Sequence, residues 1–164
     1  MNKILISKCI TLLLVILNMI VIFNFSAEKA DASKNTSKKV TETVLEITVP
    51  DFKEKTEPEK KEMVKETDSK IRTLAHFSEY TLLGFLVSLH LSLYKMSKIK
   101  KASIALSGCT LYSVADEIHQ IFVPGRGFQL VDILTDISGS LLGGLLLFLL
   151  VLFIQKCKKD PAVK

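Results

Sequence analysis

Charged and apolar residues in this chain are kept apart, and that separation limits the fold more than any motif does. Hydrophobic residues make up 48% of the 164 positions and charged residues 24%. Residues 26–72 hold 11 basic and 11 acidic side chains, half of the chain's 22 Lys plus Arg and more than half of its 17 Asp plus Glu. Elsewhere, long stretches carry almost no charge. An ordinary soluble domain intersperses the two classes along every element, whereas membrane spans joined by charged connections segregate them.

Four stretches are long enough for the roughly 20 helical residues that a bilayer core requires. They run from Ile4 to Phe25, Thr73 to Tyr94, Ala102 to Val123 and Leu130 to Ile154. Lipid offers no partner to an unpaired backbone, and the short alternating strands of a barrel are missing, so the spans are expected to be helices. The expected fold is all-α: one integral membrane four-helix bundle occupying residues 1–164. An alternative for the first span is a signal peptide cleaved near Ala30-Asp31-Ala32. Its apolar run of about 22 residues exceeds the usual signal core of about 7 to 15.

Short basic loops set the expected orientation. Lys95, Lys98, Lys100 and Lys101 join spans two and three without an acid, Lys156, Lys158 and Lys159 follow span four, and Lys3 and Lys8 flank the start of span one. All three groups fall on one side of an even-numbered bundle, so the positive-inside rule puts both termini in the cytoplasm. Residues 26–72 then form a long extracytoplasmic loop, with the short link from Pro124 to Gln129 on the same side. The pI near 9.1 reflects these loop lysines and gives no reason to expect a nucleic-acid partner. Cys9, Cys109 and Cys157 lie in or beside apolar stretches, so no disulfide framework serves the outer segment.

That outer segment reads as a solvated spacer. A short helix from Glu59 to Arg72, supported by Glu66 and Lys70 at i,i+4, is expected to run into span two. Val40, Val44 and Ile47 suggest a second, amphipathic piece lying on the membrane surface.

The chemistry is carried by polar residues inside spans two to four. Arg72, His76 and Glu79 share a face at the start of span two, with Tyr80 beside them. Ser113, Asp116 and Gln120 share a face near the end of span three, next to Glu117 and His119. Asp132, Asp136, Gly139, Ser140 and Gly143 follow one face of span four. At about 1.5 Å per residue, Glu79, Asp116 and Asp136 all lie roughly 10 Å below the outer surface. Intramembrane acids are costly and normally face a bundle interior, so their alignment at one depth marks a polar cavity. Five acids cannot all stay ionised at low dielectric without compensation. Arg126, between Gly125 and Gly127, is expected to fold its guanidinium over them for bidentate pairing. Gly139 and Gly143 have the small-xxx-small spacing that lets helices approach, here for packing within the bundle.

These residues resemble the VanZ family of small bacterial membrane proteins. The resemblance rests on His76-Phe77-Ser78-Glu79-Tyr80, on Tyr112 followed by Asp116-Glu117-x-His119-Gln120-x-Phe122-x-Pro124-x-Arg126, and on Asp132, Asp136 and Gly139 at four- and three-residue spacing. Phe25-Ser26-x-Glu28 after span one adds to it. The likeness runs from about residue 22 to 147 and is weakest in the Lys/Glu-rich outer segment. It implies a multi-pass envelope protein linked to teicoplanin-type glycopeptide resistance.

Two functions are then expected to compete. One is a non-enzymatic envelope protein whose cavity, lined by His76, Glu79, Tyr80, Asp116, Glu117, Gln120, Arg126, Asp132 and Asp136, alters how glycopeptides or envelope precursors present at the surface. The other is a membrane-embedded enzyme using Glu79, Asp116, Glu117 and Asp136 on a lipid-linked precursor. A divalent cation is compatible with either, and the ligand set requires none.

Overall fold

The computed structural model describes residues 2–28 and 30–159. These form five α-helices and, among the described residues, no strand: α1 Lys3–Ala27, α2 Ala30–Thr48, α3 Glu57–Ser92, α4 Lys98–Gln120 and α5 Leu130–Lys159, with a 3-10 turn at Phe52–Glu54 between α2 and α3.

In α1 the side chain of Asn2 accepts the Ile4 N–H, satisfying one of the donors that a helix start leaves unpaired. Its only buried residues are Val15, Asn18, Ile22 and Ser26, a single stripe spaced by three and four. Most Leu and Ile around the rest of the helix are exposed. α5 is similar, and Lys3–Ala27 and Leu130–Lys158 are both long and apolar enough to cross a bilayer. α3 and α4 are less apolar: α3 begins in charged sequence, and α4 buries Ser113, Asp116, Glu117 and Gln120.

The central packing is between α3 and α5, which run parallel. Gly84 on α3 lies against the Ser140 main chain, and Gly143 on α5 lies against Thr81 and Phe85. A Cβ on Gly139 would stand 2.5 Å from the Phe77 carbonyl oxygen. The expected small-residue spacing in α5 therefore serves packing within the chain, and Gly84 completes it from the other helix. Gly144 approaches Ser88, so Gly84/Ser140 and Ser88/Gly144 repeat at one helical turn.

The segment between the first two expected spans is helical where a spacer was expected. α3 is one helix of 36 residues that starts at Glu57, so the expected helix from Glu59 and span two are continuous. The N–H and hydroxyl of Thr56 both donate to Glu59, and Pro58 occupies the first turn, where its missing N–H costs nothing. α2 folds back along α3 as a helical hairpin with its own small apolar cluster of Leu45, Phe52 and Val64. The buried face of α2 is Thr41 and Leu45, whereas Val40, Val44 and Ile47 are exposed, Ile47 by 80%. The Thr41 hydroxyl reaches Asp68, which also pairs with Arg72 at 3.3 Å. A burial of three apolar side chains is small, but it anchors the hairpin at one end of the bundle, hereafter the hairpin end.

At the opposite end, Lys101 donates to the Ser92 carbonyl across the α3–α4 connection. Thr11 bonds His90, which also faces Tyr94, and Lys8 sits 4.0 Å above the Tyr94 ring. The α4 helix stops at Gln120, three residues before the expected span end, and Gly125 makes the turn toward α5 at φ 80°.

Candidate functional site

The α3–α5 register assembles the site. One turn toward the hairpin end from Gly84 and Ser140 come Tyr80 and Asp136, and one turn further come His76 and Asp132. Each step moves four residues along both helices, so like faces stay opposed. α4 runs antiparallel to this pair and contributes a buried stripe of Cys109, Ser113, Asp116, Glu117 and Gln120. α1 closes the side with Ile22 and Ser26.

Asp136 is the deepest acid. It is 1% exposed, and its Oδ2 accepts the Ser113 hydroxyl at 2.7 Å. Tyr80 is fully buried at the same level, its ring centroid 6.2 Å from that of Tyr112. Asp116 lies three residues beyond Ser113, about 4.5 Å nearer the hairpin end. Its Oδ2 accepts the Ser26 hydroxyl at 2.8 Å, and Gln120 donates to the same Ser26 oxygen at 2.9 Å. Ser26 thus joins α1 to α4 through two bonds, in a place where a larger side chain would force the helices apart.

Glu117 has a different environment. Its Oε2 accepts the main-chain N–H of Gln129 at 2.7 Å, immediately before α5 begins. A carboxylate there offsets the unpaired donors and partial positive charge of the helix start.

Above this layer a cavity of about 520 Å³ opens between the bundle and the base of the hairpin. His76, Glu79, Gln120, Arg126 and Asp132 line it, joined by Glu28 and Arg72, and Val40 of α2 forms part of its wall. Six of the nine sequence-derived site residues are thereby accounted for at the cavity or its rim once Glu117 is included through Gln129. Tyr80, Asp116 and Asp136 lie beneath the cavity in the packed interior.

Two of the Arg126 donors reach main-chain carbonyls at the end of α1. Its Nε donates to the Glu28 carbonyl at 3.0 Å and its Nη2 to the Phe25 carbonyl at 3.0 Å. One acceptor is in the last turn of α1 and the other is its C-cap residue, where main-chain carbonyls outnumber intrahelical donors. Burial lowers the guanidinium's proton affinity, and the like charge of Arg72 lowers it further. Arginine still keeps its charge in such surroundings.

Sequence reasoning did not assign Ser26 or Glu28 to the site, although both stand in the Phe25-Ser26-x-Glu28 stretch that carried part of the resemblance. His119, grouped in the sequence with Asp116 and Glu117, instead packs its ring 4.6 Å from Phe23. Among the described residues, no group of three or more His, Cys, Asp or Glu side chains is arranged to hold a metal ion.

The family model described as VanZ/LLP1 matches residues 11–152. The chain belongs to the VanZ/LLP1 family. The match takes in the buried stripe of α1, the hairpin, and all of the polar residues just described. Membership of this family and two strongly apolar helices together mark a membrane protein. No curated protein and no solved structure matches the chain.

Proposed function

We propose that this VanZ/LLP1-family protein is a four-span protein of the bacterial cell membrane with both termini in the cytoplasm, which alters susceptibility to teicoplanin-type glycopeptides through its polar cavity. The hairpin end faces outward in this reading, because the lysines of the α3–α4 connection and of the α5 terminus gather at the opposite end. The spans in α3 and α4 present apolar residues such as Leu82, Leu106 and Leu111 to the surroundings, while their acids turn inward.

One observation carries the proposal: polar side chains from α3, α4, α5 and the residues following α1 and α4 converge at the hairpin end and line a cavity of about 520 Å³. A volume of this size accommodates part of a large amphiphile, such as an envelope-precursor headgroup or a portion of a glycopeptide. Buried acids are expensive to hold in a membrane, and a bundle needing only cohesion is served by apolar packing. A non-enzymatic effect on how such a molecule presents at the surface needs binding alone.

A second reading, an enzyme acting on a lipid-linked precursor, draws support from the two buried acids Asp116 and Asp136 below the cavity. Susceptibility to teicoplanin, measured in cells expressing wild type or Asp136→Asn at matched protein level, tests both. Loss of the wild-type effect at unchanged level is expected. Parallel loss of protein and effect, or an Asp136→Asn protein as effective as wild type, contradicts a working site. A soluble product released from a labelled lipid-linked precursor by purified protein would favour the enzyme.

A further inference from the structure

Of the α2 side chains from residue 37 to residue 48, only Thr41 and Leu45 are buried. They sit one turn apart on the face turned to α3. The Thr41 hydroxyl donates to Asp68 at 3.4 Å, longer than the usual range for an O–H donor. Leu45 joins Phe52 and Val64 in a small cluster edged by Val49 and Met63. The other helices around the cavity are held more firmly. α3 and α5 meet main chain to side at Gly84, Gly139 and Gly143, where no Cβ fits. The end of α1 is tied to α4 through Ser26, and Arg126 donates to its Phe25 and Glu28 carbonyls.

Yet α2 covers part of the cavity, whose wall includes Ser37 and Val40. Asp68 connects this cover to the site itself. Its Oδ1 accepts Thr41 of α2, and its Oδ2 lies 3.3 Å from Nε of Arg72, a residue that lines the cavity. That second contact is an ion pair without hydrogen-bond geometry, since Arg72 Nε has no hydrogen-bond partner among the described residues. One carboxylate, 8% exposed, therefore holds both the covering helix and a side chain of the cavity.

We propose that α2 is a lid on the cavity, latched to α3 by Thr41 on Asp68 and by Leu45, and that it lifts while α3 and the rest of the bundle stay packed. Segments that open locally are those with few buried apolar contacts. Lifting α2 breaks one long hydrogen bond and uncovers one small cluster, whereas displacing α1 or α5 breaks the close helix contacts and the ties just described. The lid serves the cavity on which the proposed function rests. Its test reads access alone, so it stands or falls apart from any effect on glycopeptides.

The test uses purified full-length protein in detergent, with Cys9 and Cys157 replaced by serine, the buried Cys109 kept, and Glu79→Cys placed in the cavity. Alkylation by a bulky fluorescein maleimide is followed at the two cysteines separately by peptide mass spectrometry. Thr41→Val, which removes the hydroxyl and keeps the shape, and Leu45→Ala are each expected to speed labelling at position 79 by roughly threefold or more, with Cys109 unlabelled. An unchanged rate at position 79 overturns the lid. A matching gain at Cys109 also overturns it, because the whole bundle is then opening. Should these variants fail to accumulate, hydrogen exchange on the wild type decides. Once off α3, a helix of 19 residues is marginal in water, so its amides exchange. Residues 42–47 of α2 are expected to exchange roughly tenfold or more faster than residues 62–68 of α3. Equal protection of the two stretches would show the hairpin opening as one unit and overturn the lid.

Discussion

Glu117 on α4 accepts the main-chain N–H of Gln129 at 2.7 Å, and by that bond one helix caps the start of another. Glu117 is 1% exposed, and losing it removes the acceptor of the part-buried Gln129 N–H at the helix start. Glu117→Ala is expected to destabilise the protein by about 1–3 kcal/mol. Glu117→Gln keeps an acceptor oxygen and is expected to cost less than half as much. Thermal melting of the three purified proteins checks the order, and equal stability of Ala and wild type would remove the capping role.

The Gly84–Ser140 contact makes a sharper demand. Any Cβ at Gly84 meets the Ser140 main chain, which cannot swing away as a flexible side chain would. Gly84→Val and Gly143→Val are expected to abolish accumulation of the protein, whereas Gly127→Ala, where a Cβ meets nothing within 4 Å, is expected to accumulate as wild type. Immunoblots of membrane fractions measure this directly.

Much of this arrangement is legible in the sequence. The charge segregation marks the helices, and the i,i+4 spacing of His76 with Tyr80, and of Asp132 with Asp136 and Ser140, marks the faces that meet. The hairpin is not legible in the same way. Its core is three apolar side chains, Leu45, Phe52 and Val64, spread over twenty residues among lysines and glutamates, and Val40, Val44 and Ile47 offer a more regular apolar face that remains exposed. Two acceptors of Arg126 are main-chain carbonyls, which every residue carries and no sequence pattern advertises. Ser26 shows the same difficulty, since a lone serine at a helix end has many uses until Asp116 and Gln120 are placed beside it.

The start of α3 responds to pH. Hydrogen bonds from the Thr56 hydroxyl and N–H hold the Glu59 carboxyl below its ordinary value. A carboxyl depressed on folding contributes stability above its unfolded value, near 4.3, and that contribution is lost as pH falls through the lower folded value. The first turn of α3 is expected to fray below about pH 4. Hydrogen exchange at residues 57–60, corrected for its intrinsic pH dependence, is expected to accelerate there in wild type and to show no such step in Glu59→Gln.

Arg126 ties the link before α5 to the end of α1. Lysine has the same charge but cannot donate to two carbonyls from one planar group. Arg126→Lys is therefore expected to lose about 1 kcal/mol and Arg126→Ala about 1–3 kcal/mol, the latter leaving the Phe25 and Glu28 carbonyls without this donor. Melting temperatures in detergent give the comparison, and an Arg126→Ala protein as stable as wild type would show that the tie contributes nothing.

In the proposed topology the cavity opens to the outer side of the membrane. Gln129 lines that cavity and is exposed. In a chain with Cys9, Cys109 and Cys157 replaced by serine or alanine, Gln129→Cys is to be treated in intact cells with a membrane-impermeant maleimide. Labelling without permeabilisation is the predicted result, with Lys98→Cys labelled only after the membrane is opened. Labelling of Lys98→Cys in intact cells, with Gln129→Cys protected until permeabilisation, would place the cavity on the cytoplasmic side and contradict the account.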